Sequence, residues 1–140
     1  MADIRTFVPA DTEAVVALWE ACGLVRAWND PRRDIARKLT VQPELFLVAV
    51  DGDEIVGAGM AGFDGHRGWV NYLAVAPVRR GAGIGRTLMA QFEQRLEALG
   101  CPKVNLQVRA GNEDVLAFYR ALGYGVDDVV SLGKRLIPDV

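Results

Sequence analysis

The stretch "VRRGAGIGRTL" at 78–88 sets glycines at 81, 83 and 85 among arginines, directly after a strand-like apolar run and directly before a helical pattern. Backbone N–H groups at such a helix start converge on one concavity, and the helix end adds an effective charge of about +0.5, so the bend favours an anion. Gly81, Gly83 and Gly85 lack the Cβ that would fill the space of a phosphate oxygen, and glycine tolerates the dihedrals of the turn. Arg79, Arg80 and Arg86 add positive charge. The plainer reading is a strand-to-helix turn that merely tolerates glycine, because short glycine motifs are weak signals. Further along, "NEDVLAFYRALGY" places Asn112 at a helix start and Tyr119 on the helix's apolar side. Taken alone, Tyr119 reads as a core aromatic and Asn112 as a helix cap. Trp28, Asn29 and Asp30 stand between two helices, where an aromatic and a carboxylate suit a cationic amine, although Asn29 and Asp30 also serve as caps.

Two phosphate loops fail on the letters. The P-loop needs G-x-x-x-x-G-K-[ST], and there is no lysine between Lys38 and Lys103. The dinucleotide fingerprint fits Gly81 and Gly83, but its third glycine position holds Arg86, and the strand "KVNLQV" ends without a ribose-binding acid. A general base is not assigned: Asn105 and Gln107 cannot take a proton, while His66 and Asp64 in "FDGHRG" read first as turn residues. Arg32, Arg33, Arg37 and Lys38 read as a solvated helix face.

The elements that must position these groups follow from periodicity. A strand over 4–8 leads to a helix capped by Asp11, with Val15, Val16, Leu18, Trp19 and Cys22 on its apolar face. A shorter helix comes next, with Asn29 or Asp30 as cap, Pro31 in its first turn, and Ile35 and Leu39 inward. "LFLVAV" and "EIVGAGMAGF" flank the Asp51-Gly52-Asp53 turn as a hairpin, and "GWVNYLAV" extends the meander. The bend then opens a helix with Ile84, Leu88, Phe92, Leu96 and Leu99 on one side. A strand over 104–108 lies parallel to the fourth strand through a right-handed crossover; a helix with Val115, Leu116, Tyr119 and Leu122 succeeds it, and "GVDDVVSLGKRLI" reads as one or two final strands. The expected class is α/β: a single domain with a mixed central sheet, antiparallel in its front half and parallel at strands four and five, with helices on both faces.

The 140 residues make one domain, expected to span 1–140. With 51% hydrophobic and 24% charged residues the chain reads as an ordinary soluble protein, and no apolar run approaches a membrane span of roughly 20 residues. The N-terminus lacks the order of a signal peptide, so the expected compartment is the cytoplasm. Sixteen basic against 18 acidic side chains give a net charge of −2 and no global footprint for nucleic acid. Cys22 and Cys101 have no metal-binding spacing and read as reduced thiols.

A third pattern fits. Arg80-Gly81-Ala82-Gly83-Ile84-Gly85, preceded by Leu73-Ala74-Val75-Ala76-Pro77, resembles the [RQ]-x-x-G-x-[GA] signature of the GNAT superfamily of acyl-CoA-dependent N-acetyltransferases, and the 112–124 segment resembles that family's asparagine-opened helix with its tyrosine. By length, and by "WNDP", "DGHRG" and "SLGKRLI", the chain is most similar to the short bacterial branch called YpeA. The resemblance implies a sheet splayed between the strand ending at Val75 and the strand starting at Val104, with the pantetheine arm of acetyl-CoA in the gap. It implies that backbone groups of Leu73, Ala74 and Val75 meet the pantetheine and that a nearby N–H polarises the thioester carbonyl. The pyrophosphate would rest on residues Arg80, Gly81, Ala82, Gly83, Ile84, Gly85 and Arg86. Asn112 and Tyr119 would lie along the cofactor, Tyr119 as acid near the sulfur; Trp28, Asn29 and Asp30 would border the acceptor. The expected activity is direct transfer of acetyl from acetyl-CoA to a primary amine, in a small molecule or a peptide, with no metal, nucleic acid or membrane involved and a homodimer allowed. The missing base motivates an alternative, an acyl-CoA sensor without turnover; an oxidoreductase fragment is the third reading.

Overall fold

The computed structural model describes residues 2–139. A five-stranded sheet runs in the order β1 (Asp3–Thr6), β2 (Phe46–Asp51), β3 (Glu54–Phe63), β4 (Gly68–Val75) and β5 (Val104–Leu106). The first three pairings are antiparallel and β4 with β5 is parallel, so the sheet is mixed as expected. Four α-helices cover it: α1 (Thr12–Ala21), α2 (Pro31–Lys38), α3 (Ile84–Ala98) and α4 (Glu113–Ala121).

β2 is buried on both faces, which is why it reads as an unbroken apolar run. Phe46 and Val48 join a core with Val15, Val16 and Trp19 of α1 and Ile35 of α2. Leu47 and Ala49, one residue out of phase, join a second core with Leu88, Met89, Phe92 and Leu96 of α3 and Tyr119 of α4. Two-residue alternation along the strand thus feeds both layers, and each fully buried leucine or phenylalanine contributes about 1.5–3 kcal/mol.

Four expectations need correction. Asp11 does not cap α1; its carboxylate takes two hydrogen bonds from Arg5, at 2.7 and 2.9 Å, and one from the Val8 N–H at 2.9 Å, tying β1 to the helix entry. Leu99 lies at the end of α3 and is half exposed. β5 stops at Leu106 and not at Val108, because β4 turns away from it there. The final strands do not form: residues 125–139 are irregular, with Val126, Val129, Val130, Leu132, Leu136 and Ile137 exposed. Among the described residues this tail is held to the segments flanking β5 by side chains, Lys103 donating to Asp127 at 2.8 Å and Gln107 to Ser131. Alternating apolar residues make a strand only where a ladder partner is available.

Candidate active site

β4 and β5 pair only over Gly68–Val70 and Val104–Leu106. Beyond them β4 bulges: between the pairs Ala58–Ala74 and Met60–Asn71, Tyr72 and Leu73 together oppose the single residue Gly59. Tyr72 has φ of 58°, a left-handed conformation that a bulky side chain adopts only when its surroundings hold it. They do so here. Its ring stacks on Trp19 at 4.0 Å and its hydroxyl donates to Asp34 of α2 at 2.6 Å. The strands therefore diverge around a cleft of about 1490 Å³, lined by 69–73 of β4, by 104–109 and by residues of α3, α4 and the tail.

The glycine bend comes directly after β4. Gly81 and Gly83 both have φ of 85°, and a Cβ on either would meet nothing within 4 Å, so each has a glycine conformation and open space in front of it. No side chain caps the start of α3, which leaves the N–H groups of its first turn for a ligand. This cradle fits a pyrophosphate. Gly85 matters for packing instead, since a Cβ there would lie 3.0 Å from the Phe118 ring and 3.5 Å from Val75; its absence lets α3 approach α4 and β4. Ala82 is exposed and Ile84 half-buried, packing toward the second core. Of the arginines, Arg79 is turned away and pairs with Asp51 and Glu54. Arg80 leans back to the Val75 carbonyl at 3.4 Å and to Cys22 Sγ at 3.5 Å, while Arg86 is exposed.

Leu73 lines the cleft, whereas Ala74 faces the α1 core and Val75 offers its carbonyl to Cys22 and Arg80. Asn112 caps α4, its side chain accepting from the Val115 N–H at 3.3 Å, and it borders the cleft. Tyr119 is only 8% exposed, packed edge-on against Phe118 and Tyr124. Its hydroxyl has no hydrogen bond among the described residues, and burial pushes its pKa up to about 12. A buried phenol so shifted stays protonated at neutral pH and keeps a proton to donate. Neighbouring Tyr124, by contrast, is committed to Glu93 at 2.5 Å.

On the other side, Asp30 caps α2, accepting from Arg32 at 2.9 Å and Arg33 at 3.4 Å, and does not line the cleft. Asn29 does line it, with its side-chain oxygen taken by Arg135 at 2.8 Å; Trp28 is exposed and carries Arg109 over its ring at 5.6 Å. Asp64 accepts the N–H groups of His66 and Arg67, which is turn chemistry. Sequence reasoning missed Tyr72 and its partner Asp34, whose signal is a bulge no local pattern reveals. It also missed Arg26 and Arg109, two lining cations separated by more than half the chain. Arg37 is no mere surface charge: with Arg135 it holds Asp139, a fully buried carboxylate at the end of the tail, at 2.6 and 2.8 Å. Arg37 first, then the Asp30 N–H, keeps that carboxyl far below the usual range.

Comparison with known proteins agrees with this geometry. Residues 9–124 match the acetyltransferase (GNAT) family. An acetyltransferase of Pectobacterium atrosepticum is 52% identical over 137 residues, covering 98% of this chain and 97% of that protein. One of Sodalis glossinidius is 51% identical over 138 residues, with the same coverage. Among solved structures, a Bacillus halodurans protein described as a transcriptional regulator superposes with a TM-score of 0.82 at 22% identity, covering 97% of this chain and all of that one. AAC(6')-Iy, solved with the bisubstrate analogue CoA-S-monomethyl-acetylneamine, gives 0.79 at 18% identity, covering 97% and 99%. With the glycine cradle, the divergent strands and half-identical acetyltransferases over nearly all its length, the chain belongs to the GNAT family of acetyltransferases, whose acetyl donor is acetyl-CoA.

Proposed function

We propose that the chain transfers acetyl directly from acetyl-CoA to a primary amine, both bound at once. The observation that carries this reading is Tyr119, which lines the cleft between β4 and β5 with its hydroxyl unpartnered among the described residues. Bound acetyl-CoA supplies a thioester, already activated toward an amine. The chain's own residues do the rest: the amides of 80–86 hold the phosphates, the exposed edge of β4 at Leu73 aligns the arm, and Asn112 borders it. Tyr119 donates to the departing sulfur, and its partial burial strengthens that bond. No carboxylate stands at Asn105 or Gln107, so the amine loses its proton through water. The proposal takes residues 1–140 as one catalytic unit, in the cytoplasm, alone or as a homodimer.

A second reading, an acyl-CoA sensor, draws on the missing base. Thiol release from acetyl-CoA in the presence of an amine and peptide panel, with product mass, separates the two: an acetylated amine establishes transfer, while tight binding with no product from any amine supports the sensor.

A further inference from the structure

The charges lining the cleft are sorted along it. Glu93, Glu97 and Asp127 belong to the end where β4 and β5 stay paired, beside the last turns of α3 and Lys103. Glu93 and Asp127 are already engaged there, by Tyr124 and Lys103. At the end where the strands part, the lining side chains with formal charge are Arg26, in the α1–α2 connection, and Arg109, just past β5. Arg26 is half-buried, and neither guanidinium has an ion pair or hydrogen bond among the described residues; Arg109 rests only on the Trp28 ring. Arg37 and Arg135 are different, since each has a carboxylate, and Arg80 bonds the Val75 carbonyl and Cys22. Arg109 is exposed, and between them the guanidinium groups of Arg26 and Arg109 offer donors that no group among the described residues takes, which a ligand's acceptors can take from solvent. The one carboxylate that sequence assigns to this region, Asp30, is turned into α2.

Building on the proposed transfer to an amine, we propose that the acceptor carries a carboxylate close to its amine and is of amino-acid size, the carboxylate being held by Arg26 and Arg109. Guanidinium groups match a carboxylate fork. The size follows from the tail, which passes along the cleft from Gly125 to Ser131 and reaches across to Asn29 through Arg135, narrowing the space in which a polypeptide would lie. The two cations also serve the chemistry. A nearby positive charge disfavours ammonium, so it lowers the pKa of the bound amine and enriches the neutral nucleophile, as a cleft without a base requires. The donor's phosphates are another anion, and the test must separate them from the acceptor.

The full chain with acetyl-CoA is assayed by thiol release against the common L-amino acids and unbranched ω-amino acids, each paired with its amide, which keeps the amine and loses the charge. A diamine and a short peptide complete the panel. At least one acid is expected to have kcat/KM about ten- to hundredfold above its amide, the range of a charge-assisted hydrogen bond. Arg26→Gln and Arg109→Gln should raise KM for that acid and bring the acid-to-amide ratio toward one, with the acetyl-CoA Kd unchanged. Amides or the diamine used as well as the acids would overturn the proposal while leaving amine acetylation standing. Loss of acetyl-CoA affinity in the variants would overturn it too, assigning the arginines to the donor. Calorimetry of the same acids and amides with the CoA-saturated protein reads the site independently of turnover. If no amine is acetylated, acids binding tenfold tighter than amides sustain the carboxylate site and sink the transfer reaction, and equal or absent binding overturns both.

Discussion

Tyr119→Phe separates the role of a hydroxyl from the role of a ring. The ring packs between Phe118 and Tyr124 with only 8% exposed, and phenylalanine keeps that packing. The hydroxyl makes no hydrogen bond, so its removal costs the folded chain nothing and relieves the desolvation of an unpaired polar group, worth roughly 0–2 kcal/mol. The melting temperature should hold or rise by a few degrees. Catalysis should respond in the opposite direction. Full proton transfer from a phenol at about 12 to a thiolate whose ordinary pKa is about 8.5 runs uphill by about 5 kcal/mol, so the role proposed for Tyr119 is that of a hydrogen-bond donor to the developing sulfur charge, with solvent delivering the final proton. Losing one such donor costs ~10²–10³ in rate. Single-turnover transfer, with a parallel acetyl-CoA titration, reads the effect on the chemical step alone. A rate within twofold of wild type at unchanged affinity would place Tyr119 in the core and refute the donor role.

Four further outcomes are expected. Gly83→Asp should abolish acetyl-CoA binding in calorimetry, because a carboxylate enters the open cradle; the fold should survive with a melting point a few degrees lower, since φ of 85° strains any side chain. Acetyl-CoA affinity should fall with added salt, as exposed charges are screened beyond about 8 Å at physiological ionic strength, and Arg79→Gln should not change that slope, because Arg79 is held by Asp51 and Glu54. Asp139→Ala should free the tail, read as increased backbone motion over 125–138 in NMR relaxation, because the tail loses the carboxylate that Arg37 and Arg135 hold. With the folded pKa of Asp139 depressed, its contribution is complete above about pH 4 and is lost only as pH falls through the far lower folded value, so the wild-type tail should keep the same relaxation profile at pH 4 as at neutral pH. For Tyr119 the sign is reversed: a raised folded pKa gives stability that is full below about pH 10 and lost between there and about 12, so the transfer rate should show no falling limb from pH 7 to 10.

The features legible in the sequence and those hidden from it divide along the same line as the cleft itself. The donor side is built from local chemistry: a glycine pair that needs left-handed backbone, an asparagine that must cap, a helix whose apolar face sets the direction of Tyr119. Each of these is decided within a few residues, so the letters carry it. The acceptor side depends on pairings between distant segments. Tyr72 looks like any alternating strand residue, and its bulge exists because Trp19 and Asp34, on two other elements, hold it. The tail has the alternation of a strand, yet its bonds with the segments flanking β5 are made by side chains, and its end is anchored by Arg37 on α2. Asp30 carries the consequence furthest. Its carboxylate was equally suited to an amine or to the start of α2, and one set of oxygens cannot serve both fully. The structure commits it to the Arg32 and Arg33 amides and leaves Arg26 and Arg109 as the charged side chains lining that end of the cleft. One helix cap thereby reverses the sign of the acceptor proposed above, from a cation matched to a carboxylate to a carboxylate matched to two guanidinium groups.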